Sequence, residues 1–199
     1  MKTKTINICI ISGSSREDNL TFRVAKAIQN ILLKNPEIYQ TFLLDLREND
    51  FPMVGRKDIH PNSLTNYQKN FIQSMENAHL IFICMPEYNW TTNPELINIF
   101  HQIGNKNFKS CFENKVFATA GISHGRGGRK PCIDFHTLLN KLISFMDAYG
   151  IVSPLIFEGH ESDKNIDNQG NLLNNEIFNK TLIRFIQYSL NLTKKWNGF

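Results

Sequence analysis

Apolar and polar positions in this chain fall into two alternating patterns. Ile6 to Ile11 is apolar at every place but Asn7, which predicts a parallel strand covered on both faces. Val24, Ala25, Ile28 and Leu32 then recur at helical spacing, predicting a helix that runs to about Leu33 and stops near Asn35-Pro36. Tyr39 to Leu46 reads as a second strand, and Arg47 to Pro61, punctuated by Pro52 and Gly55, as a loop. Leu64, Tyr67, Phe71 and Met75 mark a second helix, and the run Leu80 to Met85 a fully buried third strand. Pro94 in the first turn and Leu96, Ile97, Ile99, Phe100 and Ile103 mark a third helix. A strand from Lys115 to Ala120 precedes a helix carrying Leu138, Leu142, Phe145, Met146 and Tyr149, which halts at Gly150. A fifth strand, Ile151 to Phe157, a polar loop from Glu158 to Asn171 and a helix with Phe178, Leu182, Phe185, Ile186 and Leu190 close the series.

Strand and helix thus alternate five times, with no internal repeat and no linker. That rhythm calls for an α/β fold of one domain over residues 1–199, with a parallel sheet and helices on both faces. A chain of 199 residues suffices for one well-developed core. The net charge of +4 comes from scattered Lys and Arg, which gives no nucleic-acid tract. The four cysteines, Cys9, Cys84, Cys111 and Cys132, show no metal-binding spacing, and two lie in apolar strands; this favours a reducing, cytoplasmic setting. Met1-Lys2-Thr3-Lys4 imitates the start of a signal peptide, but the apolar run behind it is too short, and no later stretch is long enough to span a membrane.

In such sheets ligands bind beyond the carboxyl ends of the strands. The unusual loops of this chain follow strands one, three and four, so all three open on that edge. The first offers Ser12, Ser14, Arg16, Asn19 and Thr21 at a helix N-terminus, a donor set for phosphate. Neither common glycine fingerprint for phosphate is present, so a second reading stands beside it, in which these side chains only cap a helix. The second loop, Pro86-Glu87-Tyr88-Asn89-Trp90, suits a flat polar ring, and the third, Ser123 to Gly128, is glycine-rich. A phosphate at one end and a planar heterocycle at the other describe a mononucleotide such as FMN.

On these residues the chain resembles the NADPH-dependent FMN reductase family. Its G-S-x-R turn is matched by Gly13-Ser14-Ser15-Arg16, its P-E-Y-N by Pro86-Glu87-Tyr88-Asn89 with Leu96 and Asn98 following, and its glycine–arginine loop by Gly125-Arg126 or Gly127-Gly128-Arg129. The resemblance covers the chain to about Tyr149. It implies a flavodoxin-like five-stranded sheet of order 2-1-3-4-5, bound FMN, a reduced nicotinamide (NADPH or NADH) as co-substrate, and a homodimer with flavin near the interface. It places Ser14, Arg16, Asn19 and Thr21, helped by Ser12, on the FMN phosphate. Pro86, Glu87, Tyr88 and Asn89 then line the isoalloxazine, and Ser123 and Gly125 approach the ring or ribityl chain. No protein group is named as catalytic acid or base, and no metal is expected.

The departures lie where a second substrate or subunit meets the flavin. Trp90-Thr91-Thr92-Asn93-Pro94 replaces a family segment of small residues, Ser and Pro-Gly, and His101-Gln102 replaces Asp-Trp. Trp90 reads equally as a stacking residue and as interface filler. Arg126, Arg129 and Lys130 are solvated surface charge by default, with recognition of a nicotinamide 2′-phosphate as the sharper reading. His124 reads first as a loop residue making a hydrogen bond, with a place near the ring as the sharper reading, and His101 as structural. Asp163 to Asp167 lacks the Gly and Glu of a calcium loop, having Asn168 and Asn174 in their places. The leading functional reading is an NAD(P)H oxidoreductase passing electrons through FMN to a small acceptor: a quinone, azo compound, metal ion or free flavin. A flavin-binding electron carrier is the alternative, disfavoured by the basic charge; a protein for another mononucleotide is a third.

Overall fold

The computed structural model describes residues 5–34 and 39–198. The basic N-terminal residues and the helix stop at Asn35-Pro36 lie outside them. Strands β1 (Ile6–Ser12), β2 (Tyr39–Asp45), β3 (Leu80–Pro86), β4 (Val116–Ile122) and β5 (Ile151–Val152) form a sheet of order β2-β1-β3-β4-β5, and β6 (Phe157–Gly159) also pairs with β4. Every pairing is parallel. The helices are α1 (Leu20–Leu33), α2 (Asn66–Asn77), α3 (Pro94–Ile103), α4 (Arg129–Phe145), the single turn α5 (Ser162–Asn165) and α6 (Glu176–Asn197).

The absence of polar alternation in the central strands has a direct cause in the layering. Ile8, Ile10, Phe82 and Ala118 face one core with α1 and α6, while Cys9, Ile11, Ile81, Ile83 and Phe117 face another with α2, α3 and α4. Both faces of β1, β3 and β4 are therefore covered, and each buried Ile or Phe contributes roughly 2 kcal/mol by leaving water. The helix starts follow from local chemistry. Asn19, Thr65 and Asn175 cap α1, α2 and α6, with a capping box between Thr65 and Gln68.

The expected fifth strand is two short pieces. Between the β4 partners Phe117 and Ala120 lie two residues, whereas Val152 and Phe157 are separated by four, so Ser153 to Ile156 arches out. Pro154 has no N–H for the ladder, and the arch is tied by Ser153 Oγ donating to the Leu155 carbonyl at 3.3 Å. The second strand ends at Asp45, whose side chain accepts from Arg47 N and starts a 3₁₀ turn. The fourth strand runs on to Ile122, and the fourth helix ends at Phe145, before Tyr149. Asp167 accepts the amides of Gln169 (2.9 Å) and Asn171 (2.8 Å), shaping the polar loop before α6.

Polar residues on α3 clamp the long loop behind β2. Gln102, 3% exposed, accepts from Ile59 N at 3.1 Å and donates to the carbonyls of Pro52 and Lys57. Asn98 accepts from Val54 N and donates to Pro52. The departure from the family pattern at Gln102 thus has a structural use. Among the described residues no helix is long and apolar enough to cross a membrane.

Candidate functional site

Because all strands are parallel, the loops after β1, β3 and β4 share one rim, with Ser12 level with Cys84 and Ala120. Ser14, Arg16, Asn19, Thr21, Pro86, Glu87 and Tyr88 line one small cleft there, of about 80 Å³, together with Asp18, Leu20, Ile122 and His124. Ser12, Asn89, Ser123 and Gly125 stand outside its walls.

The first loop turns tightly against β3. Gly13 N donates to the Cys84 carbonyl at 2.7 Å, and a methyl group at Gly13 would sit 2.7 Å from that oxygen. The turn therefore needs glycine. Ser12 is fully buried and its hydroxyl has no hydrogen-bond partner, an unusual expense for a polar atom. Ser14 is 1% exposed, with its Oγ 3.4 Å from the Tyr88 hydroxyl. Asn19 is spent on the backbone: Oδ1 accepts from Phe22 N and Nδ2 donates to the Arg16 carbonyl, both at 2.6 Å. Capping is thus true of Asn19 but leaves Ser12, Arg16 and Thr21 unaccounted for. The Arg16 guanidinium lies 4.3 Å over the Tyr88 ring and forms no ion pair among the described residues. Asp18 pairs with Arg23 instead.

The second loop is a tight hairpin. Tyr88 N donates to the Thr91 carbonyl at 2.7 Å and Thr91 N to Tyr88 at 3.0 Å, with Asn89 (φ 50°) and Trp90 (φ 69°) both left-handed. Glu87 N donates to the Ile122 carbonyl at 2.9 Å, while its carboxylate accepts from Gly128 N, at the start of α4. The side chain of Glu87 thus spans two loops.

At the third loop the glycines that matter are Gly121, in β4 just before it, and Gly127 and Gly128. A methyl at Gly121 would overlap the Gly128 backbone, and one at Gly127 the Glu87 carboxylate. Gly125 faces open space, the nearest atom being 4.0 Å away. Ser123 Oγ accepts from Gly125 N, and the Gly125 carbonyl accepts from Glu161 N. The glycine–backbone packing was not foreseen from sequence; a glycine ending the fourth strand was its only trace.

Arg129 pairs with Glu158 at 2.8 Å and Lys130 with Asp134 at 2.5 Å, leaving neither cation unspent. Burial pushes the Cys84 thiol up and that of Cys132 to about 12, so both stay protonated and unreactive. Among the described residues no group of three or more His, Cys, Asp or Glu is placed to hold a metal ion.

A family model described as NADPH-dependent FMN reductase matches residues 6–152. The chain belongs to that family. It is a flavin oxidoreductase with FMN as its cofactor. No curated protein sequence matches it. Its fold is similar to FerB, a flavoenzyme NAD(P)H:(acceptor) oxidoreductase from Paracoccus denitrificans (15% identity, 96% of this chain and 98% of that chain, TM-score 0.74). It is also similar to an azoreductase from Bacillus anthracis str. Sterne (14%, 96% and 100%, TM-score 0.57) and to the NADH:FMN oxidoreductase EMOB (16%, 92% and 89%, TM-score 0.54).

The residues present fit the cofactor. Ser14, an arginine without a carboxylate and the N-terminus of α1 line one cleft, and the buried Ser12 hydroxyl just before that loop has no partner, which is the chemistry a phosphate monoester requires.

Proposed function

We propose that the whole chain acts as one flavin-binding unit, in which the first loop holds the FMN phosphate and the second and third loops flank the ring. Ser12, Ser14, Arg16 and Thr21 supply donors and charge, and Asn19 contributes by fixing the loop between Arg16 and Phe22. Pro86, Glu87, Tyr88 and Asn89 line the isoalloxazine, Glu87 through its backbone, since its carboxylate is committed to Gly128. Ser123 and Gly125 approach the ribityl side from the third loop. The observation that carries this reading is the unpartnered Ser12 hydroxyl beneath the loop that bears the unpaired Arg16.

When bound, FMN supplies the redox chemistry that moves electrons from a reduced nicotinamide to an acceptor. The chain's own work is to bind, orient and shield. Arg16 offsets phosphate charge, and Tyr88, stacked on Arg16, links the phosphate end to the ring end. The acceptor is a small molecule such as a quinone, an azo compound, a metal ion or free flavin, and the donor is NADPH or NADH. The protein works as a homodimer in the cytoplasm, a setting consistent with four free, buried cysteines.

The test is a visible spectrum of the FMN-loaded protein before and after anaerobic NADPH. Rapid bleaching supports the reading; a bound flavin that stays oxidised with both nicotinamides refutes it.

A further inference from the structure

The edge strand reaches over to the first loop. β2 runs parallel to β1 with Asp45 level with Ser12, so the chain leaving β2 rises beside the turn that carries Ser14 and Arg16. Two places on stands Arg47, whose guanidinium makes three contacts at once. Nε donates to Asp45 Oδ2 at 2.7 Å, with Nη2 on the same carboxylate. Nη1 donates to the Glu17 carbonyl at 3.2 Å, and the group lies 4.5 Å over the Phe22 ring. Asp45 is held in turn: Oδ1 accepts from Arg47 N at 3.1 Å, the carbonyl accepts from the Tyr67 hydroxyl at 2.9 Å, and the side chain is 15% exposed.

These contacts fall where the loop is most open. Ser15 to Asp18 form an exposed crest between the buried Ser14 and Asn19. Glu17 follows Arg16 in that crest, and Phe22 lies in the first turn of α1, where its N–H is the one Asn19 caps. Arg47 therefore ties both the crest and the helix start to the end of β2. Its charge is matched by Asp45, so it brings the loop geometry rather than free positive charge. A loop fixed beforehand loses less conformational freedom when an anion arrives. Lysine could not take this place, having neither the planar fork for two acceptors nor a flat face for the ring.

We propose that Arg47 is a positioning residue for the flavin phosphate, holding the first loop in shape from outside it without touching the cofactor. The proposal rests on the reading above in which this loop holds the phosphate. Its rivals are a plain stabilising role for Arg47 and a direct charge contact with the phosphate, and each makes a different prediction for the variants below.

FMN and riboflavin are titrated into flavin-free wild-type, Arg47→Lys and Asp45→Asn proteins. Both substitutions should weaken FMN binding about tenfold, as expected when roughly one more residue is ordered on binding, and leave riboflavin within about twofold of wild type. Asp45→Asn keeps an acceptor for Arg47 N but loosens the guanidinium. It also removes negative charge near an anion, so a direct charge contact would make FMN bind more tightly. Tighter FMN binding by Asp45→Asn, or a wild-type ratio of FMN to riboflavin affinity in Arg47→Lys, overturns the proposal. Hydrogen exchange of the flavin-free proteins gives a second readout. In Arg47→Lys the amides from Ser14 to Phe22 should exchange faster, while those of Tyr88 and Thr91 keep their wild-type rates. Unchanged exchange in the first loop, or equal loosening of both loops, overturns it as well. A wild-type protein that bound FMN and riboflavin equally would instead take the phosphate off this loop, and the reading beneath the proposal would fall with it.

Discussion

The carboxylate of Glu87 receives the backbone N–H of Gly128, so the residue after β3 caps the helix after β4. Two of the three rim loops are joined through this one contact. The charge also lies at the positive end of a 17-residue helix, where an anion is favoured.

Glu87→Ala should therefore cost about 1–2 kcal/mol of stability, since the Gly128 amide loses its acceptor and α4 its cap. Glu87→Gln keeps an oxygen for the amide and should lose less. Urea unfolding of both variants checks the order. The two variants falling equally far would assign the contact's value to charge rather than to the hydrogen bond.

Removing Arg16 acts on the other end of the site. Arg16→Ala should weaken FMN binding about 30-fold, corresponding to about 2 kcal/mol for a charge-assisted contact. Arg16→Lys, which keeps charge but not the planar fork, should fall between. Flavin fluorescence titration measures each, and wild-type affinity in Arg16→Ala would return the first loop to a plain helix cap.

Gly121 in β4 and Gly125 in the third loop should respond differently to the same change. Gly121→Ala pushes a methyl into the Gly128 backbone and should destabilise by about 3 kcal/mol, the upper range for overpacking. Gly125→Ala meets open space and should be close to neutral. Denaturation midpoints of the two variants give the comparison directly.

His136 supplies a pH dependence of stability. Its Nε2 lies 2.7 Å from the buried Thr119 hydroxyl, and burial holds its pKa below the ordinary value near 6.5. The unfolded chain then takes up this proton first as pH falls. The stability His136 permits is complete above about 6.5 and declines as pH drops from there through the lowered folded value. His136→Asn should flatten that part of the profile, read as the thermal midpoint between neutral and mildly acidic pH.

The order of elements was legible because β1, β3 and β4 are buried on two faces, which leaves continuous apolar runs such as Leu80 to Met85. The edge was less so. Ile151 to Phe157 reads as one strand, and only the geometry of β4 shows two added residues arching out at Pro154. At the site, residue type alone announced Ser14, Arg16 and Tyr88. It did not separate Asn19 the cap from Ser12 the unpartnered hydroxyl, because both are short polar groups in one turn. Nor did it tell Gly121 from Gly125, since the demand for glycine comes from how the loop folds the Gly128 backbone back onto Gly121.

The most direct test compares FMN with riboflavin, which differs only in lacking the phosphate, by calorimetric titration into the flavin-free protein. If the serine–arginine turn holds the phosphate, FMN should bind at least about 100-fold more tightly, the worth of two charge-assisted hydrogen bonds. Equal affinities would contradict the placement of the cofactor on this rim.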